Sequence, residues 1–375
     1  MARVSSEFWK GKRVFITGHT GFKGVWLSLW LQSLGAIVYG YSTSSRTQSS
    51  GTQSLVSMES FHGDICDVAA LQTALSVAQP ELVFHMAAQP LVRRAFHDPL
   101  ATYRTNVIGT ATLLQSLRSC PSLRAVIVVT TDKCYETEDW DWAYREVDRL
   151  GGNDPYSSSK ACMELVVRSF RDSFFFAPHE EQHRVGIATA RAGNMIGGGD
   201  WAQDRLIPDM VRSFAAGKPV TLRNPMATRP WQYVLEALRG YLLLAERLYE
   251  DGNRYSGAWN FGAASKDIQT VQWIAGKLAT AWGAAAQWKV QSGENLPQES
   301  QMLLLDCSKA AAELAWTPVL PLAEALEMTV DWYRCFYRKG HAEKDLRQKY
   351  LDQLAAYSGR VDRSRPLLPE MDCAR

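Results

Sequence analysis

Tyr156 and Lys160 stand four residues apart in "DPYSSSK", one helical turn, and therefore on one face. A phenol is a poor base near neutrality unless its pKa falls, and an adjacent ammonium lowers it by favouring phenolate. Upstream, "RAVIVVTTDKCY" ends a run of strand character in Thr131, Asp132 and Lys133. Thr131 can add a hydroxyl to the oxygen that Tyr156 would address, and an acid and a base follow it at the tip of a buried strand. Nearer the start, "VFITGHTGFKG" puts Gly18, Gly21 and Gly24 directly after a strand and at the mouth of a helix. Glycines there let the backbone turn tightly and approach a pyrophosphate, which then sits on the helix N-terminus. The GxxGxxG spacing differs from the usual dinucleotide fingerprint, but the strand before it and the amphipathic helix after it are the required context.

These residues need a scaffold that brings strand ends together. The first half of the chain alternates short β-rich runs with helical patterns, from "RVFITG" through "ELVFHMAA" to "AVIVVTT". Such alternation points to βαβ units and a doubly wound α/β fold, a Rossmann-type parallel sheet carrying a smaller C-terminal substrate lobe. The stripe Phe22, Val25, Trp26, Leu29, Trp30 and Leu34 predicts a helix packed on that sheet, its tryptophans in the core. Residues 43–54, "TSSRTQSSGTQS", read as a loop. The expected division is a dinucleotide-binding domain over 8–190 with returning segments from the second half, a nucleotide-sugar lobe mainly over 191–335, and a polar helical extension over 336–375.

At 375 residues and a formal net charge of +2, with no basic block, the chain is not a nucleic-acid or membrane binder by composition. Its seven cysteines are scattered without a CxxC pair, which argues against a metal site and for a reduced, cytoplasmic setting. No apolar stretch near the start suits a signal or membrane helix. The expected partners are small molecules and further copies of the chain. Beyond the second strand, "AIVYGYSTSSR" lacks the acid that usually grips the ribose of NAD, and Arg46 could meet a 2′-phosphate, so NAD and NADP both stay open. Asp64 in "GDICD" could accept from the adenine amine, and Ala87 and Ala88 are small where the chain must pass the cofactor.

The glycine triplet with Tyr156 and Lys160 resembles the extended short-chain dehydrogenase/reductase superfamily, which acts mainly on nucleotide sugars. Within it, "FHMAAQPLVRR", "TTDKCY", "DPYSSSK", "RAGNMIGGGDWAQDRLIPD", "RNPMATRPWQYVLE" and "LDCSKA" are similar, in order and over residues 8 to about 335, to the CDP-glucose 4,6-dehydratase family. The resemblance implies an internal redox cycle. Tyr156, with Lys160 and Thr131, takes the C4 hydroxyl proton while NAD⁺ accepts the C4 hydride; water leaves across C5 and C6; the hydride returns to C6. The product, a CDP-4-keto-6-deoxy sugar, feeds deoxysugar biosynthesis such as that of lipopolysaccharide O-antigens.

On this resemblance Asp132 is the acid for the departing C6 hydroxyl, provided burial keeps it protonated. The related dTDP-glucose dehydratases have Glu where this chain has Lys133, which is then either a base with a depressed pKa or a stabiliser of enolate charge. Cofactor contacts are implied at Gly18, Thr20, Gly21, Phe22, Gly24, Asp64, Ile65, Ala87, Ala88, Gln89, Asn106, Tyr156 and Lys160. Substrate contacts are implied at Gln89 and Arg93 for the hexose, and at Asn194, Arg205, Arg223, Asn224 and Arg229 for the diphosphate and nucleotide. Glu299 departs from the family pattern. A 4-epimerase, a dehydratase of another nucleotide hexose and an inactive dinucleotide-binding scaffold are the alternatives. A homodimer or homotetramer built on helices over 101–118 and 157–173 is expected.

Overall fold

The structure, a computed structural model, describes residues 1–43, 55–138, 140, 142–175, 185–284, 286–290, 303–338 and 342–364. Arg46 and Glu299 fall outside them. Twelve strands appear among the described residues. They are β1 (Arg13–Thr17), β2 (Ile37–Ser42), β3 (Glu59–His62), β4 (Leu82–His85), β5 (Ala125–Val129), β6 (Gly186–Ala192), β7 (Asn194–Ile196), β8 (Val220–Leu222), β9 (Thr228–Tyr233), β10 (Gly257–Phe261), β11 (Ile268–Thr270) and β12 (Trp288–Val290). Helices over the same residues are α1 (Ser6–Trp9), α2 (Phe22–Ser33), α3 (Val68–Ala78), α4 (Val92–His97), α5 (Pro99–Tyr103), α6 (Gly109–Leu117), α7 (Pro155–Phe170), α8 (Leu206–Ala215), α9 (Val234–Glu250), α10 (Gly252–Tyr255), α11 (Val271–Trp282), α12 (Ser308–Leu314), α13 (Leu322–Tyr337) and α14 (Glu343–Arg363).

Seven strands form one parallel sheet in the order β10-β6-β5-β4-β1-β2-β3. β4 and β5 are buried at every position, as expected of strands covered on both faces. Alternate residues serve opposite layers: Ile127 and Val129 join the core under α2, α9, α13 and α14, whereas Val126 and Val128 join the one under α3, α6 and α7. The strand order reverses between β1 and β4, so a crevice opens at their carboxyl ends, where a doubly wound sheet binds its ligand. β7, β9 and β11 make a small second sheet, and β8 pairs with β12.

The predicted α2 is present, and Trp26 and Trp30 are buried in it. It is covered on its outer side too. The expected polar helical extension contains the 21-residue α14, whose Leu346, Tyr350, Leu354, Tyr357 and Val361 recur every three or four residues and are buried. Tyr350 meets Trp26 edge-on with ring centroids 4.4 Å apart, and Tyr357 meets Trp30 at 5.9 Å. Among the described residues, no helix is long and apolar enough to cross a membrane.

Two buried histidines make the fold sensitive to acid. His85, at the end of β4, lies between Thr17 Oγ1 at 2.7 Å and Thr110 Oγ1 at 2.9 Å, and burial pushes its pKa down to about 3. Burial pushes His19 down to about 4. The unfolded chain protonates both near their ordinary pKa of about 6.5, so the stability they allow above that value is lost as pH falls towards the folded values. Thermal unfolding of His85→Gln should therefore lose less Tm than the parent between about pH 6.5 and about pH 4; parallel losses would refute this.

Candidate active site

At Gly18, φ is +73° and the amide donates to Tyr41 O at 2.7 Å. A Cβ here would stand 2.8 Å from Ala87 N, and one at Gly24 only 2.4 Å from Gly18 O. Only glycine lets this loop lie against the turn after β4. Gly21 caps α2 without a side-chain bond to the first turn, so a row of backbone N–H groups faces the crevice. This cradle fits a dinucleotide pyrophosphate. Thr20 lies within the loop, Phe22 opens α2, and Ala87 and Ala88 lie in the turn after β4. Asp64 is exposed beyond β3 and accepts from Cys66 N at 2.9 Å, while Ile65 is buried under Gly109.

Gln89 and Asn106 are tied into the turn that follows β4. Gln89 Nε2 donates to Thr102 Oγ1 at 2.9 Å and to Leu91 O, and its Oε1 accepts from Leu91 N. These bonds fix the course of the loop after β4. Asn106 is fully buried in a single π-helical turn, Arg104–Ile108, and ties Gln89 to Ser159 of α7.

Asp154 caps α7, accepting from Tyr156 N at 2.9 Å and Ser157 N at 3.0 Å, with Pro155 at the first helical position. Tyr156 is thereby fixed at the helix start. Across from it, β5 runs out into Thr131 and the short turn Asp132–Cys134. Thr131 Oγ1 donates to Asp132 Oδ1 at 2.8 Å and acts on the neighbouring Tyr156 phenol, favouring phenolate. Burial holds the Asp132 carboxyl above the ordinary carboxylate range, against the pull of Thr131 and Lys133. A Cβ at Gly193 would stand 3.0 Å from Asp132 Oδ2, so a larger residue there would press on the acid. Lys133 is half-buried beside it.

The electrostatics of the Tyr156–Lys160 pair differ from the expectation. Burial pushes the phenol up to about 12, opposed by the bond from Thr131 and the charge of Arg205. Lys160 is only 3% exposed, its Nζ donating to Val129 O at 3.2 Å, and burial and then the charge of Lys23 bring it down to about 7. Desolvation therefore outweighs the through-space help that spacing alone suggests.

Lys23 went unnoticed in the sequence. It lies in the first turn of α2 among Asp132, Asp200, Arg205 and Lys160, and burial lowers it to about 8. The available signal was a lone cation in "FKGVWLSLWL", a helix otherwise devoid of charge. Its charge disfavours protonated Lys160. In Lys23→Met the Lys160 pKa should rise, and any limb of the kcat/KM profile that reports loss of the Lys160 proton should move to higher pH; an unmoved profile would refute the coupling.

Of the residues expected to bind substrate, the structure brings Arg205 to the cluster: Nη1 donates to Asp200 Oδ2 at 3.0 Å and the guanidinium acts on Tyr156 and Lys23. Arg93 of α4 instead pairs with Asp204 at 2.5 Å across the outer rim. Asn194 opens β7 opposite Trp231, and Arg229 lies on β9 with Nη1 donating to Thr228 O. Arg223 is exposed just after β8, with Asn224 half-buried beside it.

Residues 15–329 match the family described as GDP-mannose 4,6 dehydratase. The chain is 50% identical to the CDP-glucose 4,6-dehydratase of Salmonella typhimurium, over 89% of this chain and 94% of that one. It is 26% identical to a dTDP-glucose 4,6-dehydratase of Xanthomonas campestris, over 86% and 91% of the two chains. The solved dTDP-glucose 4,6-dehydratase of Streptomyces venezuelae, with NAD bound, superposes with a TM-score of 0.73 at 25% identity, covering 86% of this chain and 97% of that one.

Proposed function

The chain belongs to the GDP-mannose 4,6 dehydratase family, and on that premise we propose that it converts CDP-D-glucose to CDP-4-keto-6-deoxy-D-glucose. The observation that carries this reading is the junction of Thr131, Asp132 and Tyr156, where a phenol and a buried acid whose pKa burial raises stand beside one hydroxyl. NAD, when bound, supplies the acceptor for the C4 hydride and its return to C6, so the cycle consumes no outside oxidant.

The protein's own groups move the protons. Tyr156 takes the proton of the C4 hydroxyl, with Thr131 beside the same oxygen, while Thr131 and the charge of Arg205 favour phenolate against burial. The ketone so formed acidifies C5–H. The amine of Lys133, in its neutral form, takes the C5 proton, and the ammonium so formed offsets the enolate charge left behind. Asp132 gives its proton to the C6 hydroxyl, which departs as water, and C5 then regains a solvent-derived proton. In a 4-epimerase Asp132 and Lys133 would have no task.

Arg205, Arg229 and Asn194 would hold the diphosphate, with Arg223 and Asn224 nearer the nucleotide. Arg93 completes the rim, and Gln89 serves to shape the loop. We also propose a homodimer through the helices of 99–117 and α7, which leave Leu100 80%, Ile108 55% and Leu165 55% exposed on surfaces that would otherwise waste apolar area. The described cysteines are all free, in keeping with a cytoplasmic enzyme.

The test is mass spectrometry of products from CDP-, UDP-, dTDP- and GDP-glucose with added NAD in deuterated water. Loss of water from CDP-glucose with deuterium at C5 is expected. An isomer of unchanged mass, or no product, would overturn the dehydratase.

A further inference from the structure

Behind the acid turn lies a buried ion pair that the reaction scheme does not use. Glu164 of α7 and Arg191 of β6 have side chains only 4% and 3% exposed and meet at 2.8 Å. Both carboxylate oxygens of Glu164 are doubly bonded: Oε1 accepts from Thr130 Oγ1 at 2.5 Å and Arg191 Nε at 3.0 Å, and Oε2 accepts from Thr189 Oγ1 at 2.7 Å and Arg191 Nη2. Arg191 Nη1 then donates to the Tyr135 hydroxyl at 2.8 Å, with the guanidinium 4.8 Å from that ring, and Tyr135 donates onward to Asn260 Oδ1 at 2.8 Å.

The attachment points are the telling feature. Thr130 and Tyr135 are the residues on either side of the segment that carries Thr131, Asp132 and Lys133. Glu164 continues the stripe of Tyr156 and Lys160 along α7, one turn beyond the lysine. One ion pair thus grips both ends of the acid turn and holds them to the helix of the base. A buried pair of this kind adds little net stability compared with apolar packing, so its value is geometric.

We propose that Glu164 and Arg191 are positioning residues, a clamp that sets the acid turn against the base helix so that C5/C6 elimination follows C4 oxidation on the same bound sugar. This rests on the dehydratase reading. The oxidising pair of Tyr156 and Lys160 is built on α7 itself, with only Thr131 joining it from the turn, whereas both Asp132 and Lys133 reach the sugar through the clamped turn. Loosening the clamp therefore slows elimination more than oxidation. A displacement of the order of 1 Å costs about a hundredfold in rate.

Thr130→Val and Tyr135→Phe each remove one hydroxyl of the clamp, and Glu164→Gln removes its charge. Each should lower kcat for dehydration by about tenfold or more with KM for CDP-glucose nearly unchanged. During turnover the absorbance of reduced cofactor should build up, and unreduced 4-ketoglucose nucleotide should appear in quenched samples. Thr130→Ser, which keeps the hydroxyl, should restore the parent behaviour. Should Glu164→Gln fail to fold, the two hydroxyl variants decide. Variants that lose Tm but turn over with no accumulated ketone, or that leave kcat unchanged, would overturn the clamp. If the parent protein itself removes no water from CDP-glucose, the dehydratase reading falls and the clamp with it.

Discussion

Tyr156→Phe should lower kcat for dehydration by about a thousandfold while leaving nucleotide-sugar binding nearly intact, the usual loss when a positioned general base is removed. The substitution deletes one hydroxyl from a side chain that is 8% exposed, so neither the cap from Asp154 nor the packing of α7 is disturbed. What disappears is the group that can accept the C4 proton. Because oxidation comes first, the variant should show no reduced cofactor and no C5 deuteration. Direct titration with CDP-glucose would verify that binding survives. A variant keeping a tenth of the parent rate would transfer the base to another group.

Asp132→Asn has an effect of similar size but at another point in the cycle. Asparagine keeps the shape and the acceptor for Thr131, but carries no acidic proton for the C6 hydroxyl. We expect kcat to fall about a hundred- to thousandfold, with C4 oxidation retained and reduced cofactor trapped. The pH dependence has a definite sign. Burial raises the Asp132 pKa, and the protonated form is the active one, so turnover is supported below the folded pKa and lost above it. In Asp132→Asn that limb should vanish from the kcat profile. Undiminished water loss would show that another acid serves C6.

The sheet, the glycine loop and the meeting of "TTDK" with "YSSSK" were legible because each depends on local pattern: strand runs, a turn that only glycine can make, and one turn of helix. What stayed hidden depends on contacts between distant segments. Spacing places Lys160 under Tyr156, but only the depth of burial decides that desolvation dominates and drives the phenol up rather than down. Gln89 and Asn106 are in the expected neighbourhood, yet their hydrogen bonds point to the loop and to Ser159, which no linear motif records. The surroundings of Lys23, Glu164 and Arg191 emerge only when α2, β5, β6 and α7 converge. The composition of α14 is polar on average, and its apolar seam stands out once Trp26 and Trp30 are seen to need a cover.

That cover has a consequence for how the chain is made. α14 is the last described helix to leave the ribosome, and it completes the first βα unit: Arg347 Nε bonds Leu55 O across 292 residues, and Ser364 touches the Met1 sulfur across 363. Until the final turns emerge, the nascent first half carries the indole rings of α2 without their partners. Contacts so remote in sequence form late and leave apolar surface open to misassociation meanwhile. Emergence of α14, rather than of the dinucleotide half, is thus the event that covers the indole rings of α2.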